Sequence, residues 1–441
     1  MSAPGPDLVR SRLTTDQNAL VDRVCALAWS QGGRAGLVGG AVRDALLGLR
    51  PGPLDLVVEG PAGKSAGGWF GIAVGRALAD ALGVRPVEHE RFGTAVLRSP
   101  KGPEIDIATA RRETYRAPAA LPDVEACLIE DDLARRDFTL NAIVLVPRPD
   151  GTAALEAVPE AFGDLAARRL RVLHGESFRD DPTRLFRGVR LARRLGGSIE
   201  SGTETLMRRA AERDAAGACV ADRLTAARLR RELLLLFREQ TIAAAESALS
   251  AGGLQTAVAR GLAAIRGRPA AWDEMPGEPD PAGRLVRWIA AASSDPGAAD
   301  AAARRLDLSA ASGRRAAHLR EALTRIVHLA EQRRGPEEWS LLHDAILSAP
   351  AGAPGIACGE RPDLADTVRA ASEEVRASTP ALSPSDLIHL GLPEGPVIGR
   401  VLKLLRAGRR SGRIRSREDE EAAARRELLD SPRGAVETPS R

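Results

Sequence analysis

Residues 39–59 read GGAVRDALLGLRPGPLDLVVE. The apolar run before them, RAGLV at 34–38, breaks at Gly39 and Gly40; AVRDALL then repeats apolar residues at helical spacing and stops at Gly48, and LDLVVE resumes as a strand. Paired glycines let backbone N–H groups approach an anion closely, and Arg43 adds positive charge. The turn is therefore a candidate phosphate seat, with a plain strand-to-helix turn as the alternative. Alternation along the second strand puts positions 53, 55 and 57 on one face. Asp55 is a candidate metal-binding carboxylate, and Pro53 stands where a partner two residues earlier would be.

Working outward, RFGTAVL at 91–97 and EIDIATA at 104–110 supply further strands, the second carrying Asp106. The first 150 residues thus predict a small mixed sheet with helices on one side. From about residue 160 the strand signal vanishes: RLFRGVRLARRLG at 184–196 and LTAARLRRELLLLF at 224–237 have helical periodicity, and Ala-rich segments continue it to about residue 430. The predicted fold class is α+β, a mixed-sheet head followed by an all-α remainder. Pro/Gly clusters at 267–283 and 348–363 read as linkers or inter-helix loops, suggesting boundaries near residues 270 and 350.

A chain of 441 residues exceeds one compact core. No apolar run approaches the roughly 18 residues of a membrane span, and MSAPGPDLVR lacks a signal segment. A cytoplasmic protein with no membrane partner is expected. Four scattered cysteines suggest neither a zinc pair nor a disulfide framework, and the six histidines show no metal-ligand spacing and no phosphohydrolase signature. The net charge is only +4, yet Lys64, Lys101 and Lys403 are the only lysines among the cations. Arginine forks suit phosphates and base edges, although GC-rich coding also favours arginine. GPAGKS at 60–65 is no P-loop, because Val58 stands where the motif needs glycine.

The stretch 39–59 resembles the signature of class II tRNA nucleotidyltransferases and bacterial poly(A) polymerases, GGxVRDxLLG followed after four residues by DxDxVV. FGTAVL, EIDIATARRETY, DDLARRDFTLNAI, SFRDDPTRLFRGVRLARRLG and LTAARLRREL follow in that family's order. DLIHLGLPEGPVIGRVLKLL and GRIRSREDEEAAARREL resemble its tail, so nearly the whole chain is covered. The resemblance implies a nucleotidyltransferase-type head at 1–146, a neck binding nucleobase and RNA at 147–240, a helical body at 241–350 and a tRNA-binding helical tail at 351–430. Residues 431–441 are expected to be disordered.

The reaction so implied is attack of a tRNA 3′-hydroxyl on the α-phosphate of CTP and/or ATP with two Mg²⁺ ions, adding C, A or all of CCA. Asp55 and Asp106 would be the catalytic metal ligands, and Asp44 would help hold the glycine turn. The first aspartate of DxD is Pro53, which has no ligand oxygen and no N–H. This leaves a second expectation, a degenerate, non-catalytic tRNA- or nucleotide-binding homologue. In LARRDFTLNA the resemblance implies that Asp137 reads a ribose hydroxyl while Arg135 and Arg136 position the triphosphate, with Asn141 one turn on. Residues 113–131 read as a loop that adjusts the pocket.

In RDDPTRLFRG, Asp181 and Arg184 lie three apart on a helix predicted to start near Pro182, so both can face one base. A carboxylate accepts from the exocyclic amine of C or A and a guanidinium donates to the adjoining ring nitrogen, a selection without a nucleic-acid template. An ordinary surface ion pair is the alternative. Arg187 and Arg190 continue that helix toward triphosphate or RNA, with a solvated helix face as the alternative, and the resemblance implies that Arg228 and Glu232 brace it. No protein partner is predicted.

Overall fold

The computed structural model describes residues 4–61, 69–98, 103–212, 215, 218–240, 242–251, 254, 258, 280–332 and 335–430. Most of the GPAGKS segment and of the 267–283 cluster, and all of 431–441, lie outside the described residues. The chain forms two compact units: Met1–Leu262 with Asp280–Leu285 and Arg304–Leu308, and Ala263–Pro279 with Val286–Ala303 and Ser309–Arg441.

In the first unit, α1 (Pro6–Arg12) and α2 (Thr15–Ser30) precede β1 (Arg34–Val38), α3 (Gly40–Leu46) and β2 (Leu54–Glu59). Then come α4 (Phe70–Leu82), β3 (Val87–His89), β4 (Thr94–Leu97) and β5 (Ile105–Thr109). A hairpin of β6 (Arg111–Thr114) and β7 (Asp123–Ala126) leads into α5 (Ile129–Ala134), β8 (Ile143–Pro147) and β9 (Ala153–Ala157). The main sheet runs β3-β4-β5-β2-β1-β8-β9, with β2 and β5 parallel and its other pairs antiparallel. It continues past residue 146, since β9 pairs along all of β8.

Thr14 and Gln17 start α2 with a reciprocal capping box. Leu54, Leu56 and Val58 alternate onto one buried face of β2, the face packed by α2 and α4. Val57 joins Val38, Val144, Ile129 and Leu133 in the core on the other face, under α5. Each fully buried Leu or Val contributes about 1.5–3 kcal/mol, so β2 is held from both sides. Asp55 escapes because it stands one residue inside the strand's start, where this second face opens to solvent.

After the sheet, α6 (Ala161–Ala166), α7 (Ser177–Asp180), α8 (Thr183–Leu195), α9 (Ser201–Ala211) and α10 (Ala226–Glu239) follow. Two two-residue strands, β10 (Arg169–Leu170) and β11 (Ser198–Ile199), pair in parallel among them. Strands therefore do not vanish after residue 160; runs this short carry no readable alternation. The expected loop at 113–131 is also corrected: β6 and β7 pair from Arg111↔Ala126 to Thr114↔Asp123, leaving the Pro- and Ala-rich stretch as the hairpin tip.

In the second unit, helices Ala310–Glu331, Pro336–Ser348, Ala353–Glu360 and Ala365–Ala377 pack together. Ala353–Glu360 overturns the linker expected at 348–363: Gly352 adopts the left-handed N-cap and Pro354 sits in the first turn, where a missing N–H costs nothing. Helices Pro384–His389, Pro396–Arg410 and Arg417–Asp430 enclose Leu387, Leu392, Val401, Leu405 and Ala424. Glu420 is fully buried there, accepting from the Ala381 and Leu382 N–H groups and pairing with Arg409. Among the described residues no helix is long and apolar enough to cross a membrane.

Candidate active site

The parallel register of β2 and β5 sets Asp55 directly opposite Asp106. Opposed residues of a ladder share a face, so the two carboxylates lie side by side. Gly39 closes the site: its φ of 74° is left-handed, and a Cβ there would lie 3.8 Å from Asp55 Oδ2 and 3.3 Å from an Arg136 guanidinium nitrogen. Asp55 is open to solvent yet sufficiently ringed by protein that burial raises its carboxyl pKa, while Arg136, Arg187 and Arg43 pull it back. Burial, then the Asp55 charge, pushes Asp106 up to about 6.

Asp106 Oδ1 is shut off from solvent with no hydrogen-bond partner. An orphaned carboxylate oxygen beside a second carboxylate fits a divalent cation, which would relieve both the repulsion and the missing partner. Among the described residues no three His, Cys, Asp or Glu side chains converge as a metal site. Exposed Pro53, just before β2, provides no third oxygen.

Behind this edge the charged groups pair with one another. Arg43 donates to Asp44 Oδ1 at 2.8 and 2.6 Å and to Asn141 Oδ1 at 2.7 Å. Asn141 donates to Asp137 Oδ1 at 2.9 Å, Asp137 Oδ2 pairs with Arg187 at 2.9 Å, and Asp44 Oδ2 accepts from Arg194 at 2.7 Å. The chain of contacts ties α3 to α8. Burial would raise the Asp137 carboxyl, but Arg187, the Asn141 amide and Arg184 together hold it at about 2. Asp44, expected to hold the glycine turn, instead bridges Arg43 and Arg194. Arg43 lies beneath the turn, bound to protein, rather than aimed at an anion above it.

Asp132 organises the neighbouring arginines. Buried, it accepts from the Arg111 N–H at 3.1 Å, from Arg135 at 2.5 Å and from Arg136 at 2.9 Å. Arg135 also donates to the Arg111 carbonyl and to Glu113, both at 2.7 Å, so its guanidinium is taken up by protein. Arg136 alone of this pair borders Gly39. Sequence reasoning passed over Asp132 although its signal was present, three and four residues before Arg135 and Arg136 in DDLARRD, the spacing of helical neighbours.

The neck differs from expectation at Asp181. It is not on the helix but extended before it, at φ −131° and ψ 93°, because the ring of Pro182 disfavours helical backbone at the preceding residue. From there Asp181 Oδ1 accepts from the Thr183 N–H at 3.0 Å and hydroxyl at 2.6 Å and from Arg228 at 2.7 Å, capping α8. Arg184 is buried, donating to Ser177 Oγ at 2.7 Å and the Arg135 carbonyl at 2.8 Å. Each of the two side chains is thus taken up by other protein groups. Arg190 pairs with Glu239 at 2.9 Å and Glu232 at 3.6 Å, so α10 braces α8 through Arg228 and Glu232. A 310 Å³ cavity between these helices is lined by Thr183, Arg187, Arg190, Arg228, Arg231 and Glu232.

The family model described as poly(A) polymerase head domain matches residues 35–171. Over 401 residues the chain is 34% identical to the CC-adding tRNA nucleotidyltransferase of Deinococcus radiodurans, covering 90% of each protein. The A-adding tRNA nucleotidyltransferase of Geobacter sulfurreducens is 39% identical over 203 residues, which span 46% of this chain but only 22% of that protein. The Thermotoga maritima CCA-adding enzyme complexed with tRNA shares the fold, with a TM-score of 0.73 at 23% identity over 97% of this chain and 100% of that one.

Proposed function

The chain belongs to the tRNA nucleotidyltransferase family, and from that premise we propose that it extends tRNA 3′ ends with C and/or A, using CTP and/or ATP. The observation that supports this most is the register that sets Asp55 opposite Asp106 beside the Gly39 turn. These carboxylates would hold Mg²⁺, which when bound lowers the pKa of the RNA hydroxyl and neutralises charge on the transferring phosphoryl group. Arg136, beside the turn, and Arg187 give fixed positive charge at the same edge, favouring a triphosphate there. Base selection by Asp181 and Arg184 requires an exchange: a bound C or A takes over the donors and acceptors now satisfied by Arg228, Ser177 and the Arg135 carbonyl.

The arginine-lined cavity between α8 and α10 suits phosphate oxygens. The helical remainder would hold tRNA by its backbone shape, with affinity that falls steeply with salt. A tRNA substrate puts the proposed reaction in the cytoplasm. The alternative of a non-catalytic homologue rests on Pro53 alone, and the two curated relatives named above are both described as adding nucleotides.

Incubation of the full chain with tRNA lacking CCA, or ending in CC, with labelled CTP or ATP and Mg²⁺ tests this. Incorporation by wild type that disappears in Asp55→Asn is the expected result. A wild type that binds tRNA but incorporates neither label overturns it.

A further inference from the structure

The pairing of β3, β4, β5 and β2 aligns Val87, Val96, Asp106 and Asp55 in one row across four strands, and opposed residues share a face. The residues between them turn the other way. Ala95 and Leu97 are buried against α4, and Glu88 pairs with Arg76 of that helix at 2.6 Å. On the carboxylate face the row stays open toward β3: Val87 is 48% exposed and Val96 only half-buried. His89, two residues after Val87 and so on the same face, is exposed, and its ring makes no hydrogen bond among the described residues. We infer that this open face seats the last nucleotide of the RNA, its ribose and base on Val87 and Val96 and a backbone phosphate at His89. The inference rests on the nucleotidyl transfer proposed above.

In-line displacement sets the attacking oxygen opposite the departing pyrophosphate. Gly39 and Arg136 border Asp55 from the β1 side, where a triphosphate is favoured, and the row runs on from Asp106 away from them. An RNA hydroxyl therefore reaches the α-phosphate across Asp106, over β4 and β3. The two valines lie on that approach. An apolar surface supports a ribose and base without reading the polar edges of the base, which suits an end whose last nucleotide changes at every addition. His89 offers a ring N–H to a phosphate oxygen, and Arg91, held over the Phe92 ring at 5.6 Å, adds positive charge two residues on.

A tRNA lacking CCA, or ending in CC, with a photoreactive azide on its last base reads the position without turnover when it is bound to the full chain and irradiated. The crosslinked peptide should span Val87–Val96. No crosslink, or one elsewhere in the chain, overturns the inference whether or not nucleotide is incorporated. A crosslink at Val87–Val96 from a wild type that incorporates nothing leaves this surface standing and overturns nucleotidyl transfer. With whichever of CTP or ATP is incorporated, Val87→Asp and His89→Ala should each raise KM for tRNA by about tenfold, the worth of roughly one hydrogen bond to a charged group, while KM for the nucleotide holds. His89→Gln, which keeps an N–H, should recover most of that loss. Glu88→Gln, on the opposite face of the same strand, should change neither constant. An unchanged KM for tRNA in both variants overturns the inference, and so does an equal loss for tRNA and nucleotide or a comparable loss in Glu88→Gln, since a misfolded strand would behave in that way.

Discussion

Two sets of carboxylates share the first unit and differ in what faces them. Asp44, Asp132 and Asp137 are buried, and each meets at least one guanidinium. Asp55 and Asp106 meet each other. Asp132 and Asp137 are held in the charged form, Asp137 at about 2, while Asp55 and Asp106 are pushed toward protonation, Asp106 to about 6. Identical chemistry within one unit therefore serves opposite ends: Asp44 and Asp137 tie α3 to α8, and the Asp55–Asp106 pair carries a repulsion that a bound cation would relieve. The scaffold gains stability from its carboxylates, whereas the site gives some up.

The largest consequence falls on turnover. Asp106→Asn should lower nucleotide incorporation by about three orders of magnitude, equivalent to roughly 4 kcal/mol in the barrier. Its urea midpoint should equal or exceed that of wild type, because the variant removes a like-charge contact. A variant that loses stability together with activity would break the contrast. The converse holds at Asp44, only 2% exposed between Arg43 and Arg194. Asp44→Ala leaves two guanidinium groups without their anion and should cost about 3–5 kcal/mol, read as a lower urea midpoint. An unchanged midpoint there would mean that the network is redundant.

The sequence carried the two sets unequally. Strand alternation and the diglycine break marked Asp55, and the family resemblance put Asp106 on a neighbouring strand; β2 and β5 then pair in the register that their apolar faces permit. The arginine-paired set was only partly legible. Asn141, Asp137 and Arg187 were each noted for nucleotide chemistry, but that they contact one another depends on α8 packing against the head, a tertiary fact without sequence periodicity. Asp181 was misplaced by one helical position because Pro182 was taken as a helix start without following its effect on the preceding residue.

A smaller effect separates the two sets by sign. Asp137 titrates in the folded protein near 2, below its ordinary 3.8, so its contribution is present above pH 3.8 and is lost as pH falls through about 2. Asp106 titrates near 6, above its ordinary 3.8, so its contribution is present below pH 3.8 and is lost as pH rises through about 6. Without divalent cations, the unfolding free energy of wild type relative to Asp106→Asn should therefore decline by about 2 kcal/mol between roughly pH 4 and 7. Wild type relative to Asp137→Asn should stay level over the same window. Adding Mg²⁺ should flatten the first curve, because a bound dication favours the ionised carboxylate, and leave the second unmoved. If Mg²⁺ shifts both curves equally, the cation acts on the whole fold and not at the Asp55–Asp106 edge.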